Sequence, residues 1–446
     1  MQFSSSSGEN IFLSWIWGEV KVVGIGAPMT GSGKTTLSLS LLSALRNSVG
    51  VKIGPDYIDA GILSAVSGRR AWNIDRWIQG RLYAKILPKL AGRYDYGVVE
   101  GVMGLYDSGF KVDVSTMYYF RKLKIPYILV IDVSKLADSA YHIAKSFITP
   151  LTLGVILNRY GSEKHLEMVT KVFESHNIKI LGAIPADRDL EIEERHLGLK
   201  TGLELTNLRK IAEKVSNYVD LSFTENLPEV QPIKEEAGKE HSGKSIWIAY
   251  DKAFNFYYSD SIEVLENLGR VHYFSPILGE IPENPDFIYI GGGYPELYSE
   301  ELSSRRPLLK FIRDYAATGG RILAECGGLM YLEREIEVNG KIYEMSGVFQ
   351  GRVKMGSRPV IGYTELSVIK DSLLFRRGDV ARGHEFHYST VEDGGVKSMK
   401  NIVGRGIDGY DGRVEGNVLG SYSHFSLSRY SRRLRRELDG QGRNGS

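Results

Sequence analysis

The chain has 446 residues, 42% hydrophobic and 25% charged, which at roughly 150 residues per domain suits a globular protein of two or three domains. Its 56 Lys and Arg against 54 Asp and Glu leave a formal charge of +2, which excludes a generally basic nucleic-acid coat. No apolar run approaches the ~20 residues of a membrane span, and the single cysteine excludes an internal disulfide and points to a reducing, cytoplasmic setting.

Residues 1–18 lack the basic start and cleavage site of a signal peptide and read as a disordered extension. From Val20, β-branched runs alternate with longer segments of helical spacing. Strands are expected at Val20–Ile25, Val49–Ile53, Tyr96–Val99, Ile125–Ile131, Leu151–Leu157 and Ile178–Ile184. Helices are expected at Thr35–Leu45 and Ser134–Ser146. Continuous apolar strands alternating with helices predict an α/β domain over 19–221, a parallel sheet with helices on both faces. Residues 222–243, polar and proline-containing, read as a linker. A second α/β series fills 244–430, with strands at Ile246–Tyr250, Val271–Phe274, Phe287–Ile290 and Arg321–Ala324. Ser259–Leu268 opens on Ser and Asp and reads as a capped helix. Residues 431–446, basic and then Gly-rich, read as a flexible tail.

The first strand runs into Ala27–Thr36 (APMTGSGKTT) and then a helix. Glycines turn backbone N–H groups toward phosphate oxygens, and a helix N-terminus adds its dipole. Thr30, Gly31, Ser32, Gly33, Lys34, Thr35 and Thr36 are therefore the expected ATP-binding residues. Pro28 replaces the first Gly of the strict phosphate-loop pattern, but the strand–loop–helix setting is intact. A turn that merely reverses the chain would not need this composition. Carboxylates follow at the ends of the next strands, where open α/β sheets bind ligands. Asp56 and Glu100, with the Thr35 hydroxyl, are the expected holders of Mg²⁺ on ATP phosphates. Tyr57, Asp59 and Asp107 lie further out and are assigned to the second substrate. Asn158, at the end of a later strand, is positioned to meet an adenine edge.

In the second half an apolar strand runs straight into Cys326, followed by Gly327 and Gly328 and a helical start. This is the strand–turn–helix pattern that exposes a nucleophile, and the helix N-terminus is expected to lower the thiol pKa. Gly327 could supply an oxyanion donor, as could Gly292 and Gly293 in the loop Gly291–Glu296 (GGGYPE). A nucleophilic cysteine needs a base. His384, His387 and His424 are all available, and spacing does not choose among them.

The phosphate loop, KIGPDYID (Lys52–Asp59), VVEGVMGLYD (Val98–Asp107), VILNR (Val155–Arg159), ERHLGL (Glu194–Leu199), NFYYSD (Asn255–Asp260), GGGYPE, AECGGLMYL (Ala324–Leu332), GHEFHYS (Gly383–Ser389) and SYSHF (Ser421–Phe425) occur in that order. Together they resemble the cobyrinic acid a,c-diamide synthase family, glutamine-dependent corrinoid amidotransferases of cobalamin biosynthesis, over Val20 to Ser428. The resemblance implies a P-loop NTPase-like first domain similar to dethiobiotin synthetase and a second domain like the class I glutamine amidotransferases. It implies ATP with Mg²⁺, glutamine and a corrinoid carboxylate as small-molecule partners, with neither nucleic acid nor membrane. A homodimer is compatible with it. It also selects His424 as the base for Cys326, leaving His384 and His387 substrate-side or structural. Class I glutaminases commonly carry a Glu two residues after the histidine. Ser426 stands there, so a Cys–His dyad is expected, and the group orienting His424 has no name from sequence.

Other readings remain open at this level. Nickel sirohydrochlorin and hydrogenobyrinic acid are amidated by relatives, and a cobyric acid synthase shares both domains. A partition-type ATPase switch would need an additional Lys early in the phosphate loop, which this chain lacks.

Overall fold

The structure, a computed structural model, describes residues 18–192, 194–195, 198–199, 202–233, 243–392 and 396–440. Residues 1–17 of the expected extension and the side chains of Glu194–Leu199 lie outside the described residues.

The valine-rich run Val20–Gly26 (β1) is buried along nearly its whole length and takes the middle of the first sheet. Around it stand Ser48–Ile53 (β2), Trp72–Ile74 (β3), Tyr96–Glu100 (β4), Tyr127–Asp132 (β5), Thr152–Tyr160 (β6) and Ile180–Pro185 (β7). The order is β3-β2-β4-β1-β5-β6-β7, and all these neighbours pair in parallel. Alternation along the strands feeds a core on each face. On β5, Tyr127, Leu129 and Ile131 pack with Met117 and Phe120. Ile128 and Val130 pack with Leu37 and Leu41 of the helix Lys34–Ala44 (α1). β1 lies between β4 and β5, so the chain leaves it at the point where strand order reverses, the crevice where such sheets bind ligands.

Two expectations here need correction. The helix foreseen over Ser134–Ser146 is only Ser139–Lys145, because Asp132 accepts the Ser134 N–H and holds the preceding residues in turns. Residues 222–243 are not wholly a linker. Phe223 and Leu227 are buried in the first core, and Glu229–Val230 pairs antiparallel with β1. The first domain therefore extends to Val230, and residues 234–242 lie outside the described residues.

The second domain has a mixed sheet. Its parallel half runs Gly269–Phe274, Lys244–Ala249, Phe287–Ile290, Ile322–Glu325, Val418–Ser421. It continues antiparallel through Tyr410–Glu415, Val396–Val403 and Arg352–Val368. The long strand Val380–Glu392 pairs with Arg352–Val368 and with the short Ser423–His424. The helix Ser259–Glu266 is present but lacks the expected side-chain cap. Ser259 donates instead to Ala71 of the first domain, and the buried Asp260 accepts the hydroxyls of Ser426 and Ser428. The expected flexible tail is corrected over its first part, while residues 441–446 lie outside the described residues. Ser431–Leu438 is a helix with Leu434 and Leu438 buried, and Arg433 and Glu437 pair with Asp379 and Arg376.

Candidate active sites

The crevice at β1 opens into a cavity of about 910 Å³. Thr30, Gly31, Gly33, Lys34, Thr35, Thr36, Asp56, Asp59, Glu100 and Asn158 line it, so most of the expected nucleotide residues share one space. Gly33 must be glycine twice over. Its φ of +99° suits no L side chain, and a Cβ there would fall 2.2 Å from Asn158 Nδ2. Asn158 donates that amide to the Ser32 carbonyl at 2.8 Å and so holds the loop. The Ser32 hydroxyl turns back on the Met29 carbonyl. Lys34 begins α1, and its ammonium donates to the carbonyls of Met103 (2.7 Å) and Met29 (3.4 Å). Burial, helped by the charge on Lys52, lowers its pKa.

The floor of the cavity is charged. Glu100 is fully buried, and its Oε1 accepts from the Thr35 hydroxyl (2.9 Å) and from Lys52 (2.8 Å). Its Oε2 is buried without a hydrogen-bond partner. A hydroxyl beside an unsatisfied carboxylate oxygen suits a hard cation that shares its remaining positions with phosphate and water. Among the described residues no group of three or more His, Cys, Asp or Glu could hold a metal ion by itself. Asp56 is tied differently. One oxygen caps the helix Tyr57–Ser67 (α2) by accepting the N–H groups of Ile58 and Asp59. Burial, with repulsion from Asp59, pushes its pKa up to about 7. Asp59 also lines the cavity but is paired to Lys52, which holds its carboxyl below the usual range against the effect of burial. Asp107 lies outside the cavity lining. It is exposed and accepts the Gly104 N–H.

The second site is built at the end of the strand Ile322–Glu325. Cys326 has φ 50° and ψ −103°, a strained conformation at the expected elbow. Its N–H donates to Ser421 at 2.7 Å and its thiol to the Phe386 carbonyl at 3.2 Å. One expectation fails here. Burial, with Glu296 close by, pushes the thiol pKa up, and the Gly327 N–H opposes this only in part. The thiolate therefore depends on a base. His424 is fully buried, three residues beyond Ser421, the strand partner of Glu325. Its ring lies so close to Gly292 that a Cβ there would fall 2.4 Å from Cε1 and 3.0 Å from Nε2. Gly327 approaches Gly293 in the same way, its Cβ position lying 3.2 Å from the Gly293 nitrogen. The three expected glycines thus converge on the Cys326 and His424 region.

The other histidines separate. His384 is the cross-strand partner of His424. Burial, then the charge on His424, pushes its pKa down to about 3, so it is neutral. His387 stacks on Tyr422 and bonds the Ser389 carbonyl through Nδ1.

Tyr57 joins the sites. It is the first residue of α2, directly after the cap Asp56, and its ring packs on Tyr258 (4.5 Å between centroids), His424 (4.8 Å) and Phe256 (5.5 Å). Around it the domains interlock. Trp77 Nε1 donates to Thr364 O at 3.0 Å, Tyr363 donates to Asp75 at 2.6 Å, and Lys111 pairs with Glu365 at 3.0 Å.

Sequence reasoning missed Lys52, Arg159 and Glu325 as site residues. Lys52 sits in a buried strand, where an ammonium needs counter-charges, and that was a readable signal. Arg159 links the Gly31 carbonyl to Asp132. Nothing in their spacing marks Arg159 or Glu325.

A nucleotide-binding domain of the CobQ/CobB/MinD/ParA type matches residues 23–199, and a CobB/CobQ-like glutamine amidotransferase domain matches residues 245–431. The chain is 38% identical over 432 residues to a cobyrinate a,c-diamide synthase of Sulfolobus acidocaldarius, covering 92% of this chain and 98% of that one. Proteins of the same description from Sulfurisphaera tokodaii (38% over 426 residues, 91% and 97% covered) and Picrophilus torridus (39% over 423 residues, 90% and 94% covered) are similarly related.

Proposed function

The chain belongs to the cobyrinate a,c-diamide synthase family, and we propose that it amidates the a and c side-chain carboxylates of cobyrinic acid, using ATP and ammonia released from glutamine. The observation that carries this reading is the placement of Tyr57. One residue links the capping carboxylate of the phosphate cavity to the imidazole beside the nucleophile. A glutaminase and an ATP site so joined suit a reaction in which one supplies the nitrogen that the other consumes.

At the glutaminase site the Cys326 thiol gives its proton to His424 and attacks the glutamine amide carbon. Backbone N–H groups at Gly293 and Gly327 face the developing oxyanion. The C–N bond breaks, His424 returns the proton to the departing nitrogen, and ammonia leaves. Water then hydrolyses the thioester to glutamate. At the other site ATP phosphorylates the side-chain carboxylate, because a free carboxylate resists attack by an amine. Lys34 and the loop N–H groups stabilise charge on the transferring phosphoryl group. Mg²⁺, when bound, neutralises phosphate charge, and Thr35 and Glu100 would hold it, with Asp56 close by. Ammonia displaces phosphate from the acyl phosphate to give the amide. Asp59 in the cavity and the exposed Asp107 are proposed to face the corrinoid, Tyr57, buried between the two sites, to join them rather than touch it, and Asn158 to steady the loop under the nucleotide.

Mass spectrometry tests this reading with purified enzyme, ATP, Mg²⁺ and glutamine, offered cobyrinic acid, hydrogenobyrinic acid and nickel sirohydrochlorin in parallel. Two amidations of cobyrinic acid are expected. Double amidation of another ring in preference would contradict the substrate assignment. No amidation by folded enzyme would contradict the function.

A further inference from the structure

The residue immediately before the nucleophile is a buried carboxylate that the mechanism above does not use. Glu325 is 1% exposed. Its Oε1 accepts the Phe425 N–H at 3.0 Å, and its Oε2 accepts the Tyr289 hydroxyl at 2.7 Å. That same Oε2 lies 3.5 Å from His424 Nδ1. A carboxylate with 1% exposure is costly to bury unless it is hydrogen-bonded or paired with a charge. Two donors fix this one in place, and the fixed position faces the catalytic imidazole.

The position where class I glutaminases carry the orienting Glu is Ser426, whose hydroxyl donates to Asp260. Asp260 is also engaged by Ser428. Among the described residues, the Tyr57 ring, the neutral His384 and Gly292 also face His424. None of these carries a charge that could stabilise an imidazolium. We propose that Glu325 orients His424, completing a Cys326–His424–Glu325 arrangement in which the orienting carboxylate comes from the strand of the nucleophile rather than from beyond the histidine. Glu325 is a positioning residue. It keeps the Nδ1 proton toward itself and leaves Nε2 to take the proton of the Cys326 thiol. The 3.5 Å separation is longer than an ordinary N–H···O bond. It closes as the ring becomes positive, and such catalytic contacts commonly tighten only in the reacting complex. The proton moves from Sγ to Nε2 and on to the departing ammonia.

This inference rests on the glutaminase roles of Cys326 and His424, and the experiment separates the two. Glutaminase activity, ammonia-driven amidation and the pH dependence of thiol alkylation are measured in the unaltered enzyme and in Cys326→Ala, His424→Ala, Glu325→Gln, Glu325→Asp and Tyr289→Phe. Cys326 is the only thiol in the chain, so alkylation reports it alone. Glu325→Gln is expected to lower glutaminase turnover about 100-fold. Ammonia-driven amidation should stay within about twofold, and the midpoint of thiol reactivity should rise by about one pH unit, because destabilising the imidazolium outweighs the removal of Glu325's own repulsion of the thiolate. Glu325→Asp should recover part of both effects. Tyr289→Phe, which removes one donor but keeps the carboxylate, should give a smaller loss in the same direction. An unmoved thiol midpoint in Glu325→Gln, or a glutaminase loss matched by an equal loss of ammonia-driven amidation, would overturn the assignment. Glutaminase activity surviving in Cys326→Ala would instead overturn the roles on which it rests.

Discussion

Lys52 is the residue on which the floor of the nucleotide cavity depends. It is 2% exposed, and its ammonium meets Asp59, Glu100 and the Gly101 carbonyl. Burial alone would strip its charge, but Asp59 and Glu100 outweigh burial and raise its pKa. Removing the ammonium would leave two carboxylates on the cavity floor without their counter-charge. Lys52→Met is therefore expected to destabilise the first domain by roughly 3–5 kcal/mol, as breaking a buried pair usually does. Urea unfolding checks this, and a loss below about 1 kcal/mol would show that the carboxylates find water or protons without cost. Lys52 and Glu325 share one reason for escaping a reading by pattern. Each is a charged residue inside an apolar strand, and its role depends on partners far away in sequence. Lys34, Thr35 and Cys326 were legible because their neighbours, glycines between a strand and a helix, carry the geometry with them.

At the scale of elements, the parallel strands were readable because burial on both faces demands continuous apolar runs. β1, β4 and β5 appear within one or two residues of expectation. The misread elements have apolar signals diluted by charge or too short to show a period. In Ser431–Leu438 four arginines surround Leu434 and Leu438, whose i, i+4 spacing is the helical stripe. In Glu229–Val230 the stabilising contacts are main-chain bonds to β1, which leave no trace in side-chain pattern. The Ser259–Asp260 pair carries the chemistry of a cap, but tertiary partners took both side chains. Leu434 is fully buried. Leu434→Ala should cost roughly 2–5 kcal/mol of second-domain stability, measured by urea midpoint. A flexible tail would give no change.

At the scale of the molecule, the two domains share a buried aromatic junction. Trp77, 3% exposed, is held there by Thr364, and Tyr57 is held by Phe256 and Tyr258. None of this was legible in sequence, because the residues in contact lie in different domains and far apart along the chain. Asp75 offers a handle on the junction. It accepts Trp77 N–H, Ile78 N–H and the Tyr363 hydroxyl, and burial pushes its pKa up to about 6 from an ordinary 3.8. The folded state therefore keeps a proton that the unfolded chain loses. The resulting stabilisation is complete below the ordinary value and disappears as pH rises through about 6. Asp75→Asn, which cannot titrate, should remove on the order of 2–3 kcal/mol of this slope between pH ~4 and ~6. Unfolding free energies across that range, with the same slope in both proteins, would contradict it.

On the proposed function, one chain makes ammonia at Cys326 and consumes it at the Lys34 cavity. The most direct test compares amide formation by the unaltered enzyme and by Cys326→Ala, each supplied with ATP, Mg²⁺ and corrinoid, and with either glutamine or free ammonia. Cys326→Ala is expected to form no amide from glutamine and to form it from ammonia at close to the unaltered rate. Glutamine-driven amidation by Cys326→Ala, or loss of amidation from both nitrogen sources in a correctly folded variant, would contradict it.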